Sequence, residues 1–259
     1  MQPNYYYALF NGVDIDQLRG VTIYSIDPYT LPNRQHNVFP LARRSGQKIS
    51  SSFYVSRTIN LGIYINGVNK ADAEKILDSL YSIIQTTEAT LTLPQSGMAR
   101  NYIASYNSQT INSQSGGFLD ISFNFICSDS FGYDTNYTVI NPKTTYASGN
   151  LTFPYTQGGT ADIQLPHIEI KFLGATPVTG TVTVGNQNTG QVINITNTFN
   201  QYDIIKIDTK DLYVRINDVD VAFTGSFPEM GLGLQTLYYL DTFTSRSIEL
   251  FAYVYNRYT

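Results

Sequence analysis

The stretch NKADAEKILDSLYSIIQ, residues 69–85, is the strongest helix pattern in the chain and decides its fold class. Its apolar residues recur three and four positions apart, so they share one face of a helix. These residues are Ala73, Ile76, Leu77, Leu80 and Ile84. Asn69 can cap the first turn, and no Gly or Pro interrupts the pattern. A helix with a single apolar face must pack against another element.

Sheets are the available partners, because most other apolar segments alternate apolar and polar residues with the period of a strand. Directly before the helix, Ile59, Leu61, Ile63 and Ile65 alternate in this way. The dipeptide Asn66-Gly67 that follows is a turn signal. The first half therefore reads as strands, one helix and further strands.

The second half of the chain has a different organisation. Residues 135–159 are rich in Thr, Asn, Gly and Ser, so we expect a linker or boundary region there. This divides the chain into an N-terminal domain, residues 1–134, and a C-terminal domain, residues 160–259. About eight short strand patterns without a helix pattern predict a jelly-roll sandwich for the C-terminal domain. The predicted fold class is mainly β: an N-terminal β-sandwich carrying one α-helix, then a C-terminal β-sandwich.

Composition excludes several classes of function. The net charge of -4 gives no electrostatic support for general nucleic-acid binding. No window approaches the ~18 apolar residues that a membrane span needs. The chain starts without a signal-peptide pattern, so we expect synthesis and assembly in a reducing cytosol. The single cysteine, Cys127, lies on the apolar face of a strand pattern and is interpreted as a small buried residue, not a nucleophile.

Residue types that carry catalysis are sparse and scattered. His36 and His167 are too far apart in the sequence to form a metal-binding motif. Four aspartates lie beside predicted turns, where Asp is expected as a turn former. They are Asp208, Asp211, Asp218 and Asp220. We therefore predict no catalytic, cofactor-binding or metal-ligating residue and no enzymatic activity.

Carbohydrate binding is the alternative that composition leaves open. Jelly rolls can bind sugars by stacking an aromatic ring on the sugar face, and several tyrosines are available for this. They are Tyr238, Tyr239, Tyr253, Tyr255 and Tyr258. The same residues occupy strand positions, where roles in packing or in an interface are also expected.

The charge pattern has one anomaly. No acidic residue occurs between Asp27 and Asp72, although six basic residues do. They are Arg34, Arg43, Arg44, Lys48, Arg57 and Lys70. The part from Asp27 to Gln47 also contains three prolines and has poor periodicity, so we expect a long loop or extended arm.

Positive charge without local countercharge would suit an acidic surface on another subunit. We therefore take five of the basic residues as candidates for a subunit interface; a solvated basic face is the alternative. The five are Arg34, Arg43, Arg44, Lys48 and Arg57.

Seen together and in order, these segments resemble a known family. They are FNGVDID (10–16), LARRSGQKI (41–49), TINLGIYINGVNKADAEKILDSLYSII (58–84), DISFNFICSDSFGYD (120–134), YDIIKIDTKDLYVRINDVDV (202–221), GSFPEMGLGLQTLYYL (225–240) and SIELFAYVYNRYT (247–259). The chain resembles the distal tail proteins of long-tailed, siphovirus-type bacteriophages over almost its whole length. The resemblance implies that the C-terminal sandwich is galectin-like.

The resemblance also implies a function. A distal tail protein is expected to form a homo-oligomeric ring, with about six copies, at the distal end of the tail of the virion. The ring would connect the tail tube protein to the tail hub, and its outer domain would hold receptor-binding or side-fibre proteins. Assembly would take place in the cytoplasm of the host bacterium. The alternative is a carbohydrate-binding module that contacts the host surface.

Overall fold

The protein is represented by a computed structural model that describes residues 6–27, 32, 34–40, 47–95, 98–147 and 150–259. The chain forms two compact units. The first is Met1–Thr135 together with Thr259, and the second is Asn136–Tyr258.

The first unit contains strands β1 to β10, one 3₁₀ turn and the helix α1 within its described residues. The strands are β1 (Leu9–Phe10), β2 (Val13–Asp14), β3 (Val21–Ile26), β4 (Arg34–Pro40), β5 (Gln47–Tyr54), β6 (Arg57–Asn66), β7 (Ala89–Gln95), β8 (Met98–Ser115), β9 (Phe118–Cys127) and β10 (Gly132–Asp134). The 3₁₀ turn is Ile15–Gln17 and α1 is Lys70–Ile84.

One antiparallel sheet joins most of these strands, in the order β2-β1-β7-β8-β9-β6-β3, and β10 also pairs with β8. The helix α1 packs on this sheet through contacts with β6, β8 and β9. The class, mainly β with one helix, is as predicted.

The helix prediction is confirmed. The Asn69 side chain accepts a hydrogen bond from the Asp72 N–H at 3.0 Å, which caps the first turn. Ala73, Leu80 and Ile84 of the predicted stripe are almost fully buried, and Ile76 is buried as well. The fifth member, Leu77, is half-buried and packs at the edge of the same core.

The turn before α1 depends on glycine because two backbone segments meet there. The Gly67 N–H donates to the Gly117 carbonyl at 2.8 Å, which ties the β6–α1 turn to the β8–β9 turn. A Cβ at Gly117 would lie 2.2 Å from the Gly67 carbonyl oxygen. No side chain fits at that distance, so Gly117 is required for this close approach.

The second unit contains strands β11 to β22. They are β11 (Thr138–Tyr146), β12 (Leu151–Thr156), β13 (Pro166–Phe172), β14 (Val178–Asn186), β15 (Val192–Phe199), β16 (Ile204–Asp208), β17 (Tyr213–Ile216), β18 (Val219–Asp220), β19 (Thr224–Gly225), β20 (Leu234–Asp241), β21 (Ile248–Val254) and β22 (Arg257–Tyr258).

Two sheets enclose the core of the second unit. One has the order β11-β21-β13-β16-β17-β18, and the other has the order β12-β20-β14-β15-β19. Ile170 and Leu250 from the first sheet and Val182 and Tyr239 from the second are almost fully buried in one shared core. The predicted C-terminal β-sandwich is thus present.

The prediction of a linker at residues 135–159 is wrong for most of that region. It contains β11 and β12, which pair with β21 and β20 respectively. Pro154 sits within β12, and two register shifts interrupt β11, so local periodicity is weak. Pairing with distant strands compensates for this weak signal.

The prediction of a loop from Asp27 to Gln47 is also wrong in part, because Arg34–Pro40 forms β4 and pairs with β5. A strand exposed on both faces shows no apolar alternation, so its sequence resembles a loop. Cys127 is fully buried, as predicted, and burial raises the pKa of its thiol to about 12.

Candidate assembly surfaces

The first candidate surface is the β4–β5 hairpin, a two-stranded sheet of its own. Within the described residues its strands pair only with each other, from Arg34 opposite Tyr54 to Pro40 opposite Gln47. Residues 34–38 are all exposed, although successive residues of a strand point to opposite faces. Val38 and Phe53 remain 48% and 47% exposed. Among the hairpin residues whose side chains are described, exposed ones therefore lie on both faces.

The hairpin carries part of the predicted basic interface. Arg34 is exposed at its base, with the guanidinium carbon 5.0 Å from the centre of the Tyr54 ring. Tyr54 in turn packs edge-on against Phe131 of the main sheet region at 5.0 Å. Lys48 lies in β5 opposite Phe39. Arg43 and Arg44 lie outside the described residues, so their role remains a prediction.

Arg57 does not belong to this surface, which corrects the prediction. It opens β6 opposite Cys127, is only 3% exposed, and its guanidinium carbon lies 5.5 Å from the centre of the Tyr102 ring. A buried guanidinium stacked on an aromatic ring stabilises the subunit itself. A neighbouring subunit has no access to it.

Exposed carboxylates occur on the first unit outside the basic segment. Asp78, on the outer side of α1, and Glu88, in the turn after it, are both exposed. Among the described residues, neither carboxylate has an ion-pair partner. The first unit thus carries basic residues on the hairpin and exposed carboxylates elsewhere.

The second candidate surface is the outward face of the six-stranded sheet of the second unit. Tyr253 lies at its centre, with the His167 ring stacked parallel at 5.0 Å and the Tyr137 ring tilted against it at 4.9 Å. Phe251 packs next to Tyr253 at 5.0 Å, and Tyr137 is 48% exposed. Burial, with the nearby Glu169 carboxylate, raises the pKa of Tyr253 to about 12. We call Tyr137, His167, Phe251, Tyr253 and Tyr255 the aromatic patch.

Tyr253 and Tyr255 are among the tyrosines that the sequence suggests for binding, whereas Tyr137 and Phe251 are not. Phe251 could have been found, since it occupies the same face of β21 as Tyr253, two positions away. Tyr137 precedes β11, which the sequence does not predict.

The polar residues first considered for chemistry form separate pairs. His167 contacts Asp208, with 3.0 Å between Nδ1 and Oδ2, and Asp208 also accepts hydrogen bonds from two backbone N–H groups. Burial would raise the pKa of Asp208, but the hydrogen bonds from His167 and the Asp211 N–H outweigh it and lower that pKa. Asp218 and Asp220 pair with Lys206 and Arg215, each at 2.7 Å.

Within the described residues these side chains form separate pairs. His36 is exposed in β4, which belongs to a different sheet. Among the described residues, no cluster of three or more His, Cys, Asp or Glu side chains could hold a metal ion. No helix in the described ranges combines the length and apolar character needed to cross a membrane.

Two family models match the chain and together cover most of it. Residues 10–127 match the phage tail protein RIFT-related domain. Residues 158–250 match the siphovirus-type tail component, C-terminal domain. The two matches fall in the first and second unit respectively, in the order expected for a tail component.

The chain belongs to the siphovirus distal tail proteins.

A solved structure supports the fold of this distal tail protein over its full length. The Dit protein of phage SPP1, described as a paradigm of the hub adsorption apparatus in phages that infect Gram-positive bacteria, is 16% identical. The match has a TM-score of 0.74 and covers 99% of this chain and 100% of that one. Such low identity establishes a shared fold only.

Two baseplate structures of phage P2 show weaker likeness to this distal tail protein. The form activated with Ca is 11% identical, with a TM-score of 0.49 and coverage of 97% of each chain. The form activated with Sr is also 11% identical, with a TM-score of 0.48 and coverage of 95% of this chain and 97% of that one. Both scores are too low to support an inference. No curated protein sequence matches the chain.

Proposed function

We propose that this distal tail protein assembles into a closed homo-oligomeric ring of about six copies that links the tail tube protein to the tail hub. The exposed β4–β5 hairpin carries the proposal. An isolated two-stranded hairpin is marginally stable in water. A hairpin whose described residues pair only with each other, with Val38 and Phe53 about half exposed, therefore gains stability from a surface on another molecule.

Charge complementarity supports a second copy as that molecule. The segment between Asp27 and Asp72 contains no acid, whereas Asp78 and Glu88 are exposed on the same unit. If the hairpin of one copy reaches the acidic side of the next, each copy uses two different surfaces. Such head-to-tail contacts close into a ring when the rotation between copies is right.

The second unit supplies the proposed platform for receptor-binding or side-fibre proteins. Tyr137 is exposed, and the partly buried rings of the aromatic patch lie beside it on the outward face of the sheet. Tyr and Arg are enriched in the cores of protein interfaces because they combine large apolar area with a polar end. The role is structural, without a catalytic step, and assembly takes place in the cytoplasm of the host bacterium.

Charge reversal tests the ring. Arg43→Glu with Arg44→Glu would place acids against acids and should reduce the ring population in native mass spectrometry, while far-UV circular dichroism stays unchanged. The control is Lys143→Glu with Lys210→Glu, which makes the same charge change in the second unit and should leave rings intact. Because Lys143 pairs with Glu249 at 3.4 Å, the control variant must also keep the parent's circular dichroism. Raised salt should weaken the parent ring in part.

Two outcomes would contradict the proposal. Intact rings of normal stability in the Arg43/Arg44 variant would show that these arginines belong to a solvated basic face and not to the subunit interface. If the parent protein stays monomeric at high concentration and moderate salt, without other tail proteins, it does not assemble into a ring by itself. Micrographs that show another closed symmetry would overturn the six-fold number alone.

A further inference from the structure

The outward face of the five-stranded sheet in the second unit differs in chemistry from the aromatic patch. Strands β12, β14, β15 and β20 are described in full, and their residues alternate between the buried core and this face. The four strands contain one charged residue, Asp241, whose side chain is 1% exposed and pairs with Arg246. The outward positions are thus uncharged, and most are Thr. We call them the neutral face.

The hydroxyl groups of the neutral face are held in a fixed ladder between β14 and β15. Thr179 pairs with Thr198, and Thr181 pairs with Thr196, each with 2.8 Å between the hydroxyl oxygens. Thr183 donates to the Asn194 amide oxygen, also at 2.8 Å. Each hydroxyl oxygen has two lone pairs as well as its donor, so the ladder retains hydrogen-bonding capacity towards solvent.

One aromatic ring lies across this face. A Cβ at Gly185 would lie 2.7 Å from both Cζ and Oη of Tyr238, its neighbour on β20. The absence of a side chain at Gly185 therefore lets the end of the Tyr238 ring rest on the backbone of β14. Tyr238 is only partly buried and lines an open cleft of about 600 Å³. Thr152, Gln187 and Leu240 line the same cleft.

We infer that this cleft binds an uncharged carbohydrate, with Tyr238 as the stacking platform. A sugar presents an apolar C–H face and a rim of hydroxyls. These match the Tyr238 ring, the Thr152 hydroxyl and the Gln187 amide that line the cleft. The cleft volume falls in the ~300–1,000 Å³ range of small-molecule sites. The site is independent of the proposed ring, because it lies wholly within the second unit.

The lack of charge decides between ligand classes. A phosphate-rich or uronic-acid polymer would be expected to meet Lys or Arg, and the neutral face has neither. An extended peptide would gain main-chain hydrogen bonds at the edge of a sheet, whereas the cleft opens on the face. A neutral glycan needs neither a countercharge nor a free edge.

Titration calorimetry of the full-length chain with four tetrasaccharide probes tests the inference. The neutral probes are maltotetraose, cellotetraose and a β-1,4-linked galactotetraose, and the anionic probe is tetragalacturonate. At least one neutral probe should bind with millimolar or tighter affinity, and tetragalacturonate should bind more weakly. No heat of binding from any neutral probe at about 10 mM would overturn the inference, as would preference for tetragalacturonate.

Three variants then locate the site. Tyr238→Ala should weaken binding about tenfold or more, because the stacking ring is lost. Tyr238→Phe keeps the ring and should stay within about threefold of the parent. Tyr137→Ala removes a more exposed ring, from the aromatic patch, and should have no effect. Loss of binding in Tyr137→Ala with full binding in Tyr238→Ala would overturn the assignment, provided that both variants keep the parent's melting temperature.

Discussion

Replacement of Leu80 by alanine should destabilise the first unit strongly, because this side chain joins α1 to the sheet. Leu80 is 0% exposed and lies in the middle of the buried stripe. Complete burial of a leucine is worth ~1.5–3 kcal/mol over leaving it exposed, before any cavity is counted. The cavity left between helix and sheet adds to the loss, so the free energy of unfolding should fall by ~2–5 kcal/mol.

Two further positions on the same helix provide comparisons for the loss of stability expected at Leu80. Leu77 is half-buried, and Leu77→Ala should therefore cost less than Leu80→Ala. Lys75 is exposed, and Lys75→Ala should change the free energy of unfolding by no more than about 0.5 kcal/mol. The effects of the three substitutions should thus rank by the burial of the side chain that is removed.

Urea unfolding at one fixed protein concentration would measure the effect. With a slope of about 2 kcal/mol per molar urea, a loss of 3 kcal/mol lowers the midpoint by about 1.5 M. Hydrogen exchange read peptide by peptide should confine the change to the first unit, which has its own core. Equal losses at Leu80 and Lys75 would show that the assigned face of α1 is wrong.

Three other predictions concern charge, reactivity and pH. Arg34→Glu should weaken ring formation in native mass spectrometry more than Lys210→Glu does, since Arg34 lies at the base of the hairpin. Equal effects of the two substitutions would show that the hairpin is not part of the subunit interface. Cys127, fully buried with a thiol pKa of about 12, should resist a disulfide reagent near pH 8 until urea unfolds the chain, and fast reaction of the native protein would contradict its burial. The pKa of Asp208 is lowered in the folded state, so its ionisation stabilises the protein above the ordinary value of 3.8 and this contribution is lost as pH falls through the folded pKa. Asp208→Asn should therefore flatten the fall in stability on the acid side, and an unchanged pH profile between about pH 2 and pH 6 would refute the link.

Local periodicity was enough for much of the fold. The helix and its apolar stripe follow from residues 69–85, because 3.6-residue periodicity and a cap act within a few turns. The short strand patterns predicted for the C-terminal domain correspond to strands, with ends shifted by a few residues. Burial of Cys127 followed from alternation in the same way.

The basic segment shows the limit of this reasoning. The basic residues and the lack of acidic ones identify this segment in the sequence. Only the structure distinguishes Arg34, which is exposed on the hairpin, from Arg57, which is buried beside Tyr102. Both are arginines next to strand patterns, and local sequence does not show which side of the chain the core will cover.

The sequence by itself determined the class of the protein, its helix, the strands of its second half and the scarcity of catalytic residue types. The tertiary structure alone decided that β4 and β12 are strands, that His167 meets Asp208 across neighbouring strands, and that Tyr238 lies over Gly185. The physical reason is that strand pairing and side-chain contact join residues far apart in the chain. Periodicity reports which face a residue takes but not which partner lies opposite.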